Sequence, residues 1–238
     1  MKNLIKAKNH IYSLKDKKTE ETIKKFFKTK KGTYGENDIF LGIKVPDLRK
    51  LHKKFPLNIE ETQILLKSKF HEERFFALIN LIRLYEKAGH EKKSFIAEKI
   101  YLKNTKYINS WDLTDVSAPR ISGHYFLFEN HENINTLKKM ASSKYLFDRR
   151  IAIVSSLYFI KHNNLDFGLE ISEILLEDPE DLINKAVGWI LRETGKKDEA
   201  KLIDFLNKHY KYLKRVTLRY AIEKFEKNKR NEFLKGNF

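Results

Sequence analysis

The sequence predicts an all-α protein, folded as a curved α-solenoid of antiparallel helix pairs. Apolar residues recur at three- and four-residue steps almost throughout. Gly (9) and Pro (4) are scarce in a chain of 238 residues. No run shows the period-two alternation of a half-buried strand. The pattern reads as roughly twelve to fourteen helices of ~10–18 residues joined by short turns. Many short helices in sequence favour stacked pairs over a compact bundle, and one domain spanning 1–238 is expected.

The first clear break in this pattern is the polar run Lys30 to Asp38. It precedes Ile39-Phe40-Leu41-Gly42-Ile43-Lys44-Val45-Pro46 and is too short for an interdomain linker. Asn58-Ile59-Glu60-Glu61 reads as a capping box, because Asn58 can accept from the third helical N–H while Glu61 reaches back. Phe75, Leu78, Ile79, Ile82 and Tyr85 then form an apolar stripe. Ile171, Ile174 and Leu175 form another, and Leu202, Phe205 and Leu206 a third. Between these two, Asp178-Pro179-Glu180-Asp181 supplies a cap, a proline at the first helical position, and acidic groups against the helix dipole. Charge leading into an apolar helix recurs at His71 to Ala77, Asp148 to Ala152 and Asn184 to Val187, as in degenerate repeats of roughly 35–40 residues.

Composition narrows the function. Lys+Arg is 48 against Asp+Glu 32, a net +16. Residues 1–31 carry +8 and residues 196–238 carry +7, leaving a nearly neutral centre. Basic ends around such a centre suit an extended polyanion. General enrichment in lysine accounts for the same numbers. With no cysteine there is no disulfide, thiolate metal site or thiol nucleophile. No apolar stretch approaches the ~20 residues of a membrane span. The first residues lack the apolar core of a secretory signal. A cytoplasmic monomer needing no metal or organic cofactor is the expectation.

The two tryptophans, Trp111 and Trp189, each sit in a polar cluster. Trp111 and Asp115 are four apart and share a helical face. Pro119 cannot donate to the Asp115 carbonyl, so that turn should be kinked or open. A solvated Asp beside a core Trp is the bland alternative. Trp189 shares a face with Arg192 and Glu193, and Gly188 before it implies close approach by a helix or a ligand. Arg149 and Arg150 open a helix where positive charge opposes the dipole. That makes sense if an anion faces them, or if Asp148 caps the helix and pairs with one of them. The eight histidines show no metal-ligand spacing. There is no phosphate-binding glycine loop, and Ser155-Ser156 has no nucleophile elbow around it.

Four segments in order resemble the bacterial DNA alkylation repair proteins of the AlkD type, the HEAT-like-repeat DNA glycosylases. They are Phe40-Leu41-Gly42-Ile43 with Pro46, Trp111-Asp112 with Asp115, Arg150-Ile151-Ala152-Ile153, and Lys185-Ala186 with Gly188-Trp189 and Leu191-Arg192-Glu193. The resemblance spans nearly the whole chain. It implies Asp115, Trp111 and Trp189 as catalytic residues and Arg150 as a phosphate ligand. Arg149, Lys44 and Arg192 are further candidate DNA contacts. The implied reaction is hydrolysis of the N-glycosidic bond of cationic N3- or N7-alkylated purines in double-stranded DNA. Some members carry Gln-Thr where this chain has Lys44-Val45. Related branches keep the fold and bind DNA without glycosylase activity. The alternative is therefore a non-catalytic protein that binds distorted or branched DNA, and a protein-binding scaffold is a third reading.

Overall fold

The computed structural model describes residues 1–237. These form fourteen α-helices with short 3₁₀ and π segments between them, and the chain divides into two compact units at Ser117/Ala118. Among the described residues there is no strand, only an isolated bridge between Ile39 and Phe70. Many of the helices are shorter than the expected ~10–18 residues, because 3₁₀ and π turns take up part of the apolar pattern.

The first unit contains α1 (Lys2–Ser13), α2 (Lys17–Phe26), α3 (Val45–Lys54), α4 (Ile59–Leu66), α5 (His71–Glu86), α6 (His90–Ser94) and α7 (Trp111–Ser117). A π turn, Phe95–Tyr101, and a 3₁₀ turn, Leu102–Tyr107, lead from α6 towards α7. The core is α5, whose predicted stripe Phe75, Leu78, Ile79, Ile82 and Tyr85 is buried. Helices α3, α4, α6 and α7 pack around it. The capping box forms as expected at α4: Asn58 accepts from the Glu61 N–H at 2.9 Å, and Glu61 accepts from the Asn58 N–H at 3.2 Å.

The second unit contains α8 (Asn135–Ala141), α9 (Leu146–Lys161), α10 (Asp166–Ile174), α11 (Asp181–Gly195), α12 (Glu199–His209), α13 (Arg215–Ala221) and α14 (Lys227–Lys235). Helix α9 packs on α11, and α11 on α13. Helices α8, α10 and α12 cover them from a second layer. That is the stacking of helix pairs expected of an α-solenoid. Leu202, Phe205, Leu206, Ile171 and Leu175 enter the core, but Ile174 is exposed. It closes α10, where the apolar face has already turned away.

The repeat suspected from sequence has a bonding basis. Ser68 accepts the Phe70 N–H at 3.1 Å and donates to Glu73, while Arg74 donates to the Ser68 carbonyl at 3.0 Å. Ser143 does the same at the head of α9, with the Tyr145 N–H at 3.2 Å, Asp148 at 3.0 Å and Arg149 at 3.0 Å. Asp178 takes the serine's place before α11, accepting from the Glu180 N–H at 2.9 Å, and Asn184 donates to its carbonyl. Asp178 is therefore not the helix cap that the sequence suggested. Helix α11 starts later, at Asp181 after Glu180, and the Asp178 carboxylate is shared between Arg149 and the Glu180 N–H.

Candidate functional site

The Phe40-Leu41-Gly42-Ile43 segment is a turn that only this sequence of bonds allows. Gly42 has φ +79°, and a Cβ there would fall 2.1 Å from the Asp16 carbonyl oxygen at the start of α2. Neither the dihedral nor the space admits another residue. Glu72, buried at the start of α5, accepts the N–H groups of Leu41, Gly42 and Ile43 at 2.9–3.2 Å. The turn delivers Lys44, exposed, to the N-cap position of α3.

Trp111 and Asp115 are the first and fifth residues of α7, both half-buried, as their spacing predicted. The Trp111 ring stacks on Phe27 (centroids 5.2 Å, interplanar angle 18°) and meets the edge of Phe26 at 5.6 Å. Phe26 is 66% exposed. Sequence reasoning missed both phenylalanines: they end α2 far from Trp111 along the chain, with no spacing signal to link them. Asp115 lies close enough to Tyr101 for its charge to add to burial, the larger cause, in raising the phenol's pKa. Tyr101 also bonds Ser117 at 2.9 Å, which ties the end of α7 to the preceding π turn. The irregularity expected from Pro119 is present: α7 ends at Ser117, and Pro119–Gly123 is a π turn in which Gly123 donates to the Ala118 carbonyl at 2.8 Å.

A cavity of about 710 Å³ opens in the first unit. Its lining includes Phe27, Phe40, Lys44, His71 and Asp112, but neither Trp111 nor Asp115. His71 is the feature of this wall that the sequence did not suggest. Its ring nitrogens bond Asp38 and Asp112, each at 2.9 Å. Arg74 pairs with the other oxygen of Asp38.

In the second unit the neighbouring arginines diverge. Arg149 is engaged three ways: its Nε and Nη2 bind Asp178 at 2.5 and 3.3 Å, and its Nη1 the Ser143 carbonyl. Asp148 accepts from Ser143 and makes no cap for α9, so the arginine's carboxylate partner comes from the loop before α11. Arg150 is 6% exposed and donates to the Leu182 carbonyl at 2.7 Å. On α11, Trp189 is half-buried, while Arg192 reaches Glu193 at 3.3 Å and Glu223. Gly188 is explained by packing against α13. A Cβ there would lie 2.5 Å from the Tyr220 Cβ and 2.6 Å from the Thr217 carbonyl oxygen.

Asp115, Arg150, Lys185 and Arg219 are each the fifth residue of their helix, in α7, α9, α11 and α13. Trp189 lies one turn beyond Lys185. Helices that repeat one bonding pattern at their starts, as α5, α9 and α11 do, define an all-α helical-repeat protein. The chain matches the family described as DNA alkylation repair enzyme over residues 7–225, and it belongs to that family. Its fold is that of a solved structure from Enterococcus faecalis described as a predicted DNA alkylation repair enzyme. The TM-score is 0.60 at 15% identity, over 90% of this chain and 97% of that one. No curated protein matches it. None of the described helices is long and apolar enough to cross a membrane.

Proposed function

We propose that the protein is a monofunctional DNA glycosylase that removes cationic N3- and N7-alkylated purines from duplex DNA, with Asp115 as the catalytic carboxylate. The observation that supports this most is the pairing of Trp111 and Asp115 on α7, both half-buried, ahead of a π turn. Alkylation at N3 or N7 makes the purine a cationic leaving group that departs without protonation. No general acid is then required. As the glycosidic bond breaks, positive charge grows on the deoxyribose. A carboxylate fixed in a partly dehydrated position stabilises that charge and orients the attacking water.

The face of Trp111 serves the same cationic sugar, contributing ~0.5–2 kcal/mol, and Trp189 is the second aromatic assigned to catalysis. Arg150 is the residue assigned to a flanking phosphate, which its planar guanidinium suits through bidentate hydrogen bonds. Lys44, exposed, and Arg192, whose partner Glu223 is a surface residue, are available to phosphates, since surface ion pairs exchange at little cost. Arg149 contributes by holding Asp178 and the start of α11.

Incubation of excess protein with a duplex bearing one N7-methylguanine tests the reaction class. The expected products are free N7-methylguanine and an intact strand carrying an abasic site, formed faster than by spontaneous depurination. Salt-sensitive binding with no released base would instead assign the protein to the non-catalytic, DNA-binding alternative.

A further inference from the structure

His71 opens α5 and is 3% exposed. A neutral imidazole has one N–H donor, yet here both ring nitrogens face carboxylate oxygens at 2.9 Å. With both carboxylates ionised, only the imidazolium satisfies both. Burial alone would lower its pKa, but the charges and hydrogen bonds of Asp112 and Asp38 outweigh burial and push it up to about 9. The groups facing the ring are Asp38 from the preceding loop, Asp112 from α7, and the rings of Phe27 and Phe40, at 5.1 and 4.5 Å. Glu72, beside it, turns to the backbone of Leu41 to Ile43, and Arg74 reaches Asp38.

Both routes out of His71 lead to Trp111. One runs through Asp112, the next residue on α7. The other runs through Phe27, which stacks on the indole at 5.2 Å. We propose that His71 is a positioning residue: as an imidazolium clamped between Asp38 and Asp112, it fixes the first turn of α7 and so the directions of Trp111 and Asp115. This rests on the reading of those two residues as the reactive pair. The role proposed for the clamp is to hold α7, not to touch the reacting atoms. Its loss acts through geometry, where a displacement of about 1 Å can cost ~100-fold in rate.

The test uses fluorescence and excision in parallel. In the full chain with Trp189→Phe, Trp111 is the sole tryptophan. Its emission should change with a midpoint near pH 9 as His71 loses its proton. Adding His71→Gln should abolish that transition and leave only the background from tyrosine ionisation. Adding Asp112→Asn should move the midpoint down, since one of the two carboxylates holding the proton is gone. With Trp189 intact, His71→Gln and Asp112→Asn should each slow single-turnover excision by about ten- to a hundredfold, with affinity for undamaged duplex kept within about twofold. Asp112→Asn, which preserves shape, serves if His71→Gln does not fold.

Trp111 emission without a transition between pH 7 and 10, beyond that background, would overturn the proposal. So would wild-type excision by a folded clamp variant. A transition near pH 9 with no excision by any form upholds the clamp on Trp111 and overturns the glycosylase reading instead.

Discussion

Arg149 and Arg150 are adjacent in sequence and have different fates. Arg149 is bound at both ends of its fork to Asp178, whose side chain is 4% exposed. Removing one member of such a pair leaves a buried charge uncompensated. Arg149→Met or Asp178→Asn is therefore expected to lower stability by about 3–5 kcal/mol, read from the shift in the urea midpoint. A change below about 1 kcal/mol would mark the pair as an ordinary surface bridge. His71 makes stability depend on pH. Its folded-state pKa, about 9, exceeds the unfolded 6.5. Its protonation therefore stabilises the fold fully below pH 6.5, progressively less as pH rises, and not at all once pH has passed through about 9. Thermal melts across pH 6–10 should show this loss, and His71→Gln should flatten it. The pairing of Trp111 with Asp115 was legible because one helical face follows from a spacing of four. The clamp was not, because the partners of His71 lie 33 and 41 residues away.

Helices were legible wherever local chemistry decides them. The Asn58 capping box and the α5 stripe appear as the sequence reads. Asp178 was misread for a reason partly outside its own segment: a residue 29 positions away shares its carboxylate with the Glu180 N–H. The π turns that interrupt the helices leave no period of their own in the sequence. Glycines give the sharpest tests at this scale. Gly42→Ala meets a backbone carbonyl and a φ of +79° together, and it should cost more than Gly188→Ala, whose cost of about 1–3 kcal/mol for overpacking is partly offset by ~1 kcal/mol of helix propensity. Equilibrium denaturation of the two variants checks the order. The shared fifth position of Arg150, Lys185 and Arg219 adds a binding test. Arg219 is exposed on α13, and Arg219→Ala should weaken duplex binding evenly across sequences and reduce the salt slope by about 1.

The whole chain carries +16, and its membership of a DNA alkylation repair family gives that charge a partner. Duplex affinity should fall steeply and log-linearly with salt, by ~10³–10⁵ between about 50 and 200 mM if roughly six to ten phosphates are neutralised. An affinity nearly flat with salt would return the charge to general lysine enrichment. The all-α, stacked-pair fold was readable from periodicity because every helix must bury one face. The chemistry of the site was readable only as residue types, since direction and burial come from contacts between distant segments.

In the proposed reaction Asp115 acts on the reacting sugar rather than on binding. The most direct measurement is the single-turnover rate of base release from an N7-methylguanine duplex by wild type and Asp115→Asn, alongside the dissociation constant of each for the same duplex. Loss of release by the variant, with binding unchanged within about twofold, is the predicted result. Wild-type release by Asp115→Asn would contradict it.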